Sequence, residues 1–318
     1  MFNISLRDIG LNSDYKISKA SSVASPCNNS IMFLSKLGDK SVKRLLEINQ
    51  SLIIVPRGQC NNHLDHLSDI QKKNLVLKSE EPKLEYALIL DKILKHIRYY
   101  NDFDENNYVQ IDRYLASRTN VKIHESVTIG SNVVIGPNTH IGINSRIYDG
   151  VKIHGNTKIG DNVVIGYNSI IGYPGFGFAR TTSTPVRIPH VGGVIIGNNV
   201  DIGCLNTIVA GTIEPTFIGD GTKVDDHVHI GHNAQIGKNC IITACAEMGR
   251  MNMGNDVWVG PNSSIIQGVE IGDKAYIGIS SVVTKNVEKD SIVAGSPATT
   301  IDNLKKIRSF FKANVFSK

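Results

Sequence analysis

Val133-Val-Ile-Gly-Pro-Asn138 returns as Val163-Val-Ile-Gly-Tyr-Asn168 and again as Val228-His-Ile-Gly-His-Asn233. Around these phrases isoleucine holds every sixth position from Ile123 through Ile129, Ile135, Ile141, Ile147, Ile153, Ile159 and Ile165 to Ile171, usually with Gly behind it. A helix repeats near 3.6 residues and a strand near 2, so a fixed unit of six with one obligatory aliphatic marks a solenoid that stacks its apolar positions into a column. The register continues at Ile196, Ile202 and Ile208. After four extra residues it resumes at Ile218, Val224, Ile230, Ile236, Ile242 and Met248, then restarts at Val259, Ile265, Ile271, Ile277 and Val283. Gly or Asn at the unit ends suits tight turns, where positive φ is tolerated.

The chain of 318 residues has 34 basic and 29 acidic side chains, a net charge of +5. That mild excess suits phosphate-bearing ligands and gives no nucleic-acid footprint. Cys27, Cys60, Cys204, Cys240 and Cys245 are an odd, scattered set. They read as free thiols in a reducing cytoplasm rather than as a disulfide framework. Arg7 and Asp8 interrupt any export signal, and no apolar run is long enough to span a bilayer.

Residues 1–100 carry no hexad and read as a separate α/β domain. Ile31-Met-Phe-Leu34 and Leu52-Ile-Ile-Val55 are expected as buried strands, and Pro82 opens a helix whose apolar side is drawn through Leu84, Leu88, Leu94 and Ile97. Residues 101–120 read as a linker, 121–298 as the solenoid, with 173–193 as an irregular loop, and 299–318 as a basic terminal helix bearing Lys305, Lys306, Arg308 and Lys312. Both appendages are expected to cap the solenoid's open ends.

The hexads resemble those of the hexapeptide-repeat acyltransferases, which implies a left-handed parallel β-helix of roughly nine coils at eighteen residues each. Ser22-Val-Ala-Ser25, Ile31-Met-Phe-Leu-Ser35, Glu81-Pro-Lys-Leu-Glu-Tyr-Ala87, Gly175-Phe-Gly-Phe178, Val186-Arg-Ile-Pro-His190 and Val228-His-Ile-Gly-His-Asn233 sharpen the likeness. In that order they resemble the UDP-3-O-acylglucosamine N-acyltransferase family of lipid A synthesis. The resemblance implies a homotrimer with sites between neighbouring prisms, an N-terminal domain that holds the nucleotide, and N-acylation of a nucleotide-linked amino sugar by an acyl thioester.

His232 is the expected general base: histidine is suited to accept the amine's proton near pH 7, and it matches the family's base. Asn233 is expected beside it, either orienting a ligand or serving as an ordinary corner residue. The family's oxyanion donor is a backbone N–H one coil beyond the base, here Gly249 or Arg250 where Met248 and Met253 stand five apart; Gly249 is preferred. The resemblance also implies nucleotide-sugar contacts at Phe33, Phe176, Phe178 and His229. His227, His229 and His232 form H-x-H-x-x-H, which admits a rival metal-site reading, but amide formation from a thioester needs no metal, and no tightly bound cofactor is expected.

Departures from the family qualify the likeness. Its uracil-gripping Asn and aromatic after Phe-Leu-Ser are replaced by Lys36-Leu-Gly-Asp-Lys40, and its second histidine is absent near Gln267-Gly-Val-Glu270. Val282-Val-Thr-Lys285 and Val293-Ala-Gly-Ser-Pro-Ala298 resemble the last coil of nucleotide-aminosugar N-acetyltransferases, which implies acyl-donor contacts at Arg250, Lys285, Ala294 and Gly295. The sequence expectation is therefore transfer of a short acyl group from acyl-CoA to a sugar for O-antigen or another surface polysaccharide. The alternative is the lipid A enzyme using acyl carrier protein. The non-enzyme alternative is a scaffold or a γ-carbonic-anhydrase-like metal protein.

Overall fold

The computed structural model describes residues 2–97, 108–111, 114–117, 119–181 and 184–314. The chain divides into two compact units, Met1–Asp102 with Phe176–Val191, and Phe103–Gly175 with Gly192–Lys318.

In the first unit Ile31, Met32, Leu52, Ile53, Ile54 and Val55 are apolar without alternation and fully buried, as in strands covered on both faces. They sit in a four-stranded parallel sheet ordered Lys19–Ala20, Ser30–Phe33, Leu52–Pro56, Leu75–Ser79. Parallel neighbours need crossovers, which α1 (Asp39–Leu45) and α2 (Leu64–Gln71) supply. Helix α3 (Pro82–His96) starts at Pro82, but its buried stripe runs through Tyr86, Ala87, Leu90, Ile93 and Leu94, and Leu88 faces solvent. The stretch 173–193 also differs from expectation. Phe178–Ala179 and Val186–Arg187 form an antiparallel hairpin whose Ala179 and Ile188 pack on Ala87. Lacking a hexad aliphatic, this segment has no column to join and buries its apolar residues on α3 instead.

In the second unit each hexapeptide contributes a short strand that pairs in parallel with the unit three further on, as Val134–Ile135 does with Lys152–Ile153. Three sheets result, of ten, ten and eight strands. One column runs Ile135, Ile153, Ile171, Ile208, Ile230, Met248, Ile265, Val283. Its members are essentially inaccessible, and each such aliphatic contributes roughly 1.5–3 kcal/mol by leaving water. The third residue past a column aliphatic is left-handed at most corners, as at Asn132 (φ 58), Asn138 (φ 56) and Asn262 (φ 57), which asparagine tolerates well. The residue before it turns its N–H outward, and an acidic side chain from the next coil often caps it. Ser131 N donates to Asp149 Oδ1 (2.7 Å), Ile143 N to Asp161 Oδ1 (2.7 Å), Cys204 N to Asp226 Oδ1 (2.6 Å) and Asn255 N to Asp273 Oδ1 (2.6 Å).

The ends differ from the sequence reading. Within 101–120, Tyr108–Ile111 and Tyr114–Ser117 pair antiparallel, and Ala116 stacks beside Ile135, so the stretch expected as a linker already contributes to the sheet. At the other end Thr299–Thr300 pairs antiparallel with Val293–Ala294, and α4 (Ile301–Asn314) buries none of its residues. This strand closes the sheet's edge, and α4 packs beside it through half-buried Ile301 and Leu304. Among the described residues no helix is long and apolar enough to cross a membrane.

Candidate active site

The edge where the chain leaves the Ile230 column for the Ile236 column gathers His232, Asn233, Gly249, Arg250 and Lys285. His232, Arg250, Gln267 and Lys285 each stand two residues past a column member, on the coils of Ile230, Met248, Ile265 and Val283. Adjacent coils lie about 4.8 Å apart, so the four form a row. Gln267 occupies the row where the sequence lacked a second histidine.

His232 is half-buried. Behind it Gly231 N donates to Met248 O at 2.7 Å. A Cβ at Gly231 would lie 2.7 Å from that same carbonyl, so only glycine lets the coils close here. The imidazole Nδ1 lies 3.0 Å from Asn233 Oδ1. Asn233 is not aimed at a ligand: its Oδ1 accepts from Thr212 N and Thr212 Oγ1, each at 3.0 Å, and its Nδ2 donates to Glu214 O at 2.7 Å. The expected catalytic role gives way to a side chain with both amide ends engaged.

Gly249 is also corrected. Its N–H donates to Ile265 O at 2.9 Å, the ordinary ladder bond that Gly231 makes one coil earlier, so it is not available to an oxyanion. The following residue differs. Arg250 O accepts from Gly268 N at 2.6 Å, whereas the Arg250 N–H has no hydrogen-bond partner among the described residues. The five-residue step from Met248 to Met253 drops the left-handed corner residue: no residue between them has positive φ, and Met251 turns inward, 2% exposed.

Lys285 is exposed at the far end of the row. Ala294 and Gly295 do not join it. Gly295 O accepts from Val282 N at 2.9 Å and Ala298 N donates to Val282 O at 2.7 Å, so this turn closes the sheet's end. His229 points outward from its strand, with Nε2 4.0 Å from Glu247 Oε1. His227 occupies a left-handed corner (φ 59), so the three imidazoles of H-x-H-x-x-H fall on one corner, one face and the next corner. Among the described residues no group of three His, Cys, Asp or Glu is placed to hold a metal ion.

The aromatic candidates belong to the first unit. Phe33, half-buried, packs on the buried Tyr86 at 4.9 Å between centroids. Phe176 meets Phe178 edge-on at 4.9 Å, and the Arg187 guanidinium lies 4.8 Å over the Phe178 ring. Phe176 is 86% exposed, an outlay of apolar surface that needs a reason.

Sequence reasoning missed Thr212 and Glu214, although the four-residue slip after Ile208 was their signal. It also missed His154, which burial holds below the usual imidazole pKa and which meets Tyr173 edge-on at 5.2 Å.

The bacterial transferase hexapeptide (six repeats) family matches residues 138–173, 215–250 and 251–285. A UDP-3-O-acylglucosamine N-acyltransferase of Campylobacter curvus is 36% identical over 147 residues, 44% of this chain and 46% of that protein. Its namesake in Campylobacter lari is 39% identical over 125 residues, 39% of each. Each alignment thus spans less than half the length of the curated relative. The solved structure of LpxA from Acinetobacter baumannii superposes with a TM-score of 0.54 at 26% identity, covering 63% of this chain and 76% of that one. The relatives' shared name overturns the expectation of a short acyl group moved from acyl-CoA for O-antigen and favours the alternative. Residues 138–173, 215–250 and 251–285 thus match the bacterial transferase hexapeptide repeats, and column and corners give the chain a left-handed parallel β-helix similar to that of the acyltransferase structure it resembles.

Proposed function

We propose that the chain N-acylates a UDP-linked 3-O-acylglucosamine, with the acyl group arriving as a thioester on acyl carrier protein. The observation that carries the reading is the shared name of the relatives, and the row beginning at His232 supplies the chemistry. The amine attacks the thioester carbonyl, forming the C–N bond. His232 takes the ammonium proton as that bond forms, since an imidazole near neutrality is both a competent base and a competent acid. The negative charge on the carbonyl oxygen is met by the Arg250 N–H, a fixed dipole with no protein acceptor to give up. Collapse breaks the C–S bond, and the departing thiolate recovers the proton from His232.

Phe33 stacks the nucleobase on the support of Tyr86, and Phe176 and Phe178 add apolar surface for the acceptor. Lys285 and the exposed cations of α4, Lys305, Lys306, Arg308 and Lys312, suit the phosphate and acidic surface of a carrier protein. The working form is a homotrimer in the cytoplasm, each His232 edge completed by a neighbouring copy. Incubating the full chain with UDP-3-O-(3-hydroxyacyl)glucosamine and 3-hydroxyacyl carrier protein yields a product heavier by one acyl group, with its amine blocked. An acceptor left unmodified across donor chain lengths refutes the proposal.

A further inference from the structure

We infer that the four-residue insertion ahead of the base is a clamp that fixes the tautomer of His232, with Thr212, Glu214 and Asn233 as positioning residues. From Ile230 to Met248 the column takes the regular step, whereas Ile208 to Ile230 takes four residues more. The surplus forms the loop 211–215, tied at its base because Gly211 N and Thr216 N both donate to Gly193 O, at 3.0 and 3.2 Å. The loop is tight: a Cβ on Gly211 would collide with Glu214 O.

Into this loop reaches the Asn233 amide, and its orientation is decided by partners of known polarity. Thr212 N–H can only donate and Glu214 C=O can only accept, so the oxygen must face Thr212 and the nitrogen must face Glu214. A flipped amide would oppose donor to donor and acceptor to acceptor. Asn233 N–H in turn donates to Thr216 Oγ1 at 2.9 Å, which fixes the backbone at this left-handed corner (φ 61). An oxygen held in this way has no proton to give. The imidazole nitrogen 3.0 Å from it, Nδ1, therefore carries the hydrogen, and the basic lone pair lies on Nε2.

Two other pairs of corner asparagines behave differently. Asn120 Nδ2 donates to Asn138 Oδ1, and Asn162 Nδ2 to Asn199 Oδ1, at 3.1 and 3.3 Å, stacking amide on amide between coils. Asn233 leaves that habit where the histidine precedes it and the loop stands beside it. The inference rests on the proposed role of His232 as base, but the tautomer itself is a property of the protein without substrate.

The test uses the full chain with 15N-labelled histidine, the His232 signals being identified by their loss in His232→Gln. The parent shows the proton on Nδ1. In Asn233→Ala, which has no acceptor, the proton shifts toward Nε2, and kcat falls about 10- to 100-fold, as when the orienting partner of a working imidazole is lost, while the acceptor KM stays within about twofold. Asn233→Asp keeps an acceptor at Nδ1, so it retains the Nδ1 tautomer. Its carboxylate favours the imidazolium, so the acid limb of the kcat/KM profile moves to higher pH. Thr212→Val removes one donor to Oδ1 and keeps the fold, giving a smaller change of the same kind. Nδ1 unprotonated in the parent, or an Asn233→Ala protein that stays folded with parental tautomer and kcat, overturns the clamp. Failure to acylate UDP-3-O-acylglucosamine with the Nδ1 tautomer observed refutes the proposed reaction and leaves the clamp standing.

Discussion

Removing one backbone hydrogen tests the oxyanion assignment, and the fold itself supplies the substitution that does so. Arg250 stands two residues past its column member. Pro137 holds the same position past Ile135 on this same edge, and Pro261 past Val259 on another, each preceded by glycine as Arg250 is by Gly249. Regular corners therefore admit proline at this position, where its ring removes the N–H and nothing else from the main chain, and the folding check decides the same for the shortened corner at Arg250. The Arg250 carbonyl keeps its bond from Gly268, and no intramolecular hydrogen bond of the Arg250 N–H is lost. The stability change is thus expected to be small. Losing an oxyanion donor costs about 10²- to 10³-fold in kcat, or about 2.7–4 kcal/mol of transition-state stabilisation. Arg250→Ala isolates the side chain, whose exposed guanidinium is worth far less to the chemical step. The assay compares kcat of Arg250→Pro with that of Arg250→Ala under saturating donor and acceptor, with thermal unfolding as the check on folding. A folded proline variant that turns over within a few-fold of the alanine variant refutes the assignment, and the oxyanion then has another donor.

Further outcomes follow from the same geometry. His232→Ala lowers kcat by roughly 10²- to 10⁴-fold with an unchanged melting temperature; retention of turnover removes it as the base. Phe33→Ala raises KM for the nucleotide sugar and leaves that for the acyl donor unchanged, which initial-rate kinetics with each substrate varied will separate. Burial holds His154 below its ordinary value of 6.5, so the native state takes up fewer protons than the unfolded chain. Its contribution to stability is present above about pH 6.5 and is lost as pH falls toward the depressed value; His154→Gln flattens that acid limb in denaturant titrations. Cys245 is exposed, whereas Cys240 is buried and its thiol is pushed up by desolvation. Mass mapping after a thiol-disulfide reagent finds Cys245 modified in the native protein and Cys240 only after unfolding.

The columns were legible because one buried aliphatic per unit is a constraint on every coil, and a slip would bury a polar residue in its place. Left-handed corners were legible as asparagine for the same steric reason. The Phe176–Val191 hairpin was not, because its packing on α3 depends on residues distant in sequence, Ala87 among them, and no local period reports a partner of that kind. Residues 101–120 were mistaken for a linker since Ala116 fills the column position that isoleucine marks elsewhere. At the site, the phrase around His232 gave its place at a corner two residues past Ile230, where it stands half-buried. Gly249 was misassigned because glycine suggests an accessible amide, whereas ladder registration decides which amides are already committed, and only the hydrogen-bond pairing shows that.

A repeat that satisfies every backbone group identically along its length offers no place for chemistry. Two of its edges come close to that condition, because Asp149, Asp161, Asp226 and Asp273 cap N–H groups of the preceding coil. The His232 edge departs from it twice within a short stretch. Four residues are added before the histidine, and they hold the amide that orients it. One residue is removed after it, and the shortened turn carries Arg250, whose N–H, like those of Gln267 and Lys285 in the regular units of the same row, has no hydrogen-bond partner among the described residues. A buried polar network fixes direction, while an amide without a protein acceptor is ready to meet new charge without first breaking a bond. The two breaks of register stand, in opposite senses, on the two sides of one residue. In a fold this regular the period finds the scaffold, and the insertion after Ile208, which holds the Asn233 amide beside His232, is the departure to which the proposed base is tied.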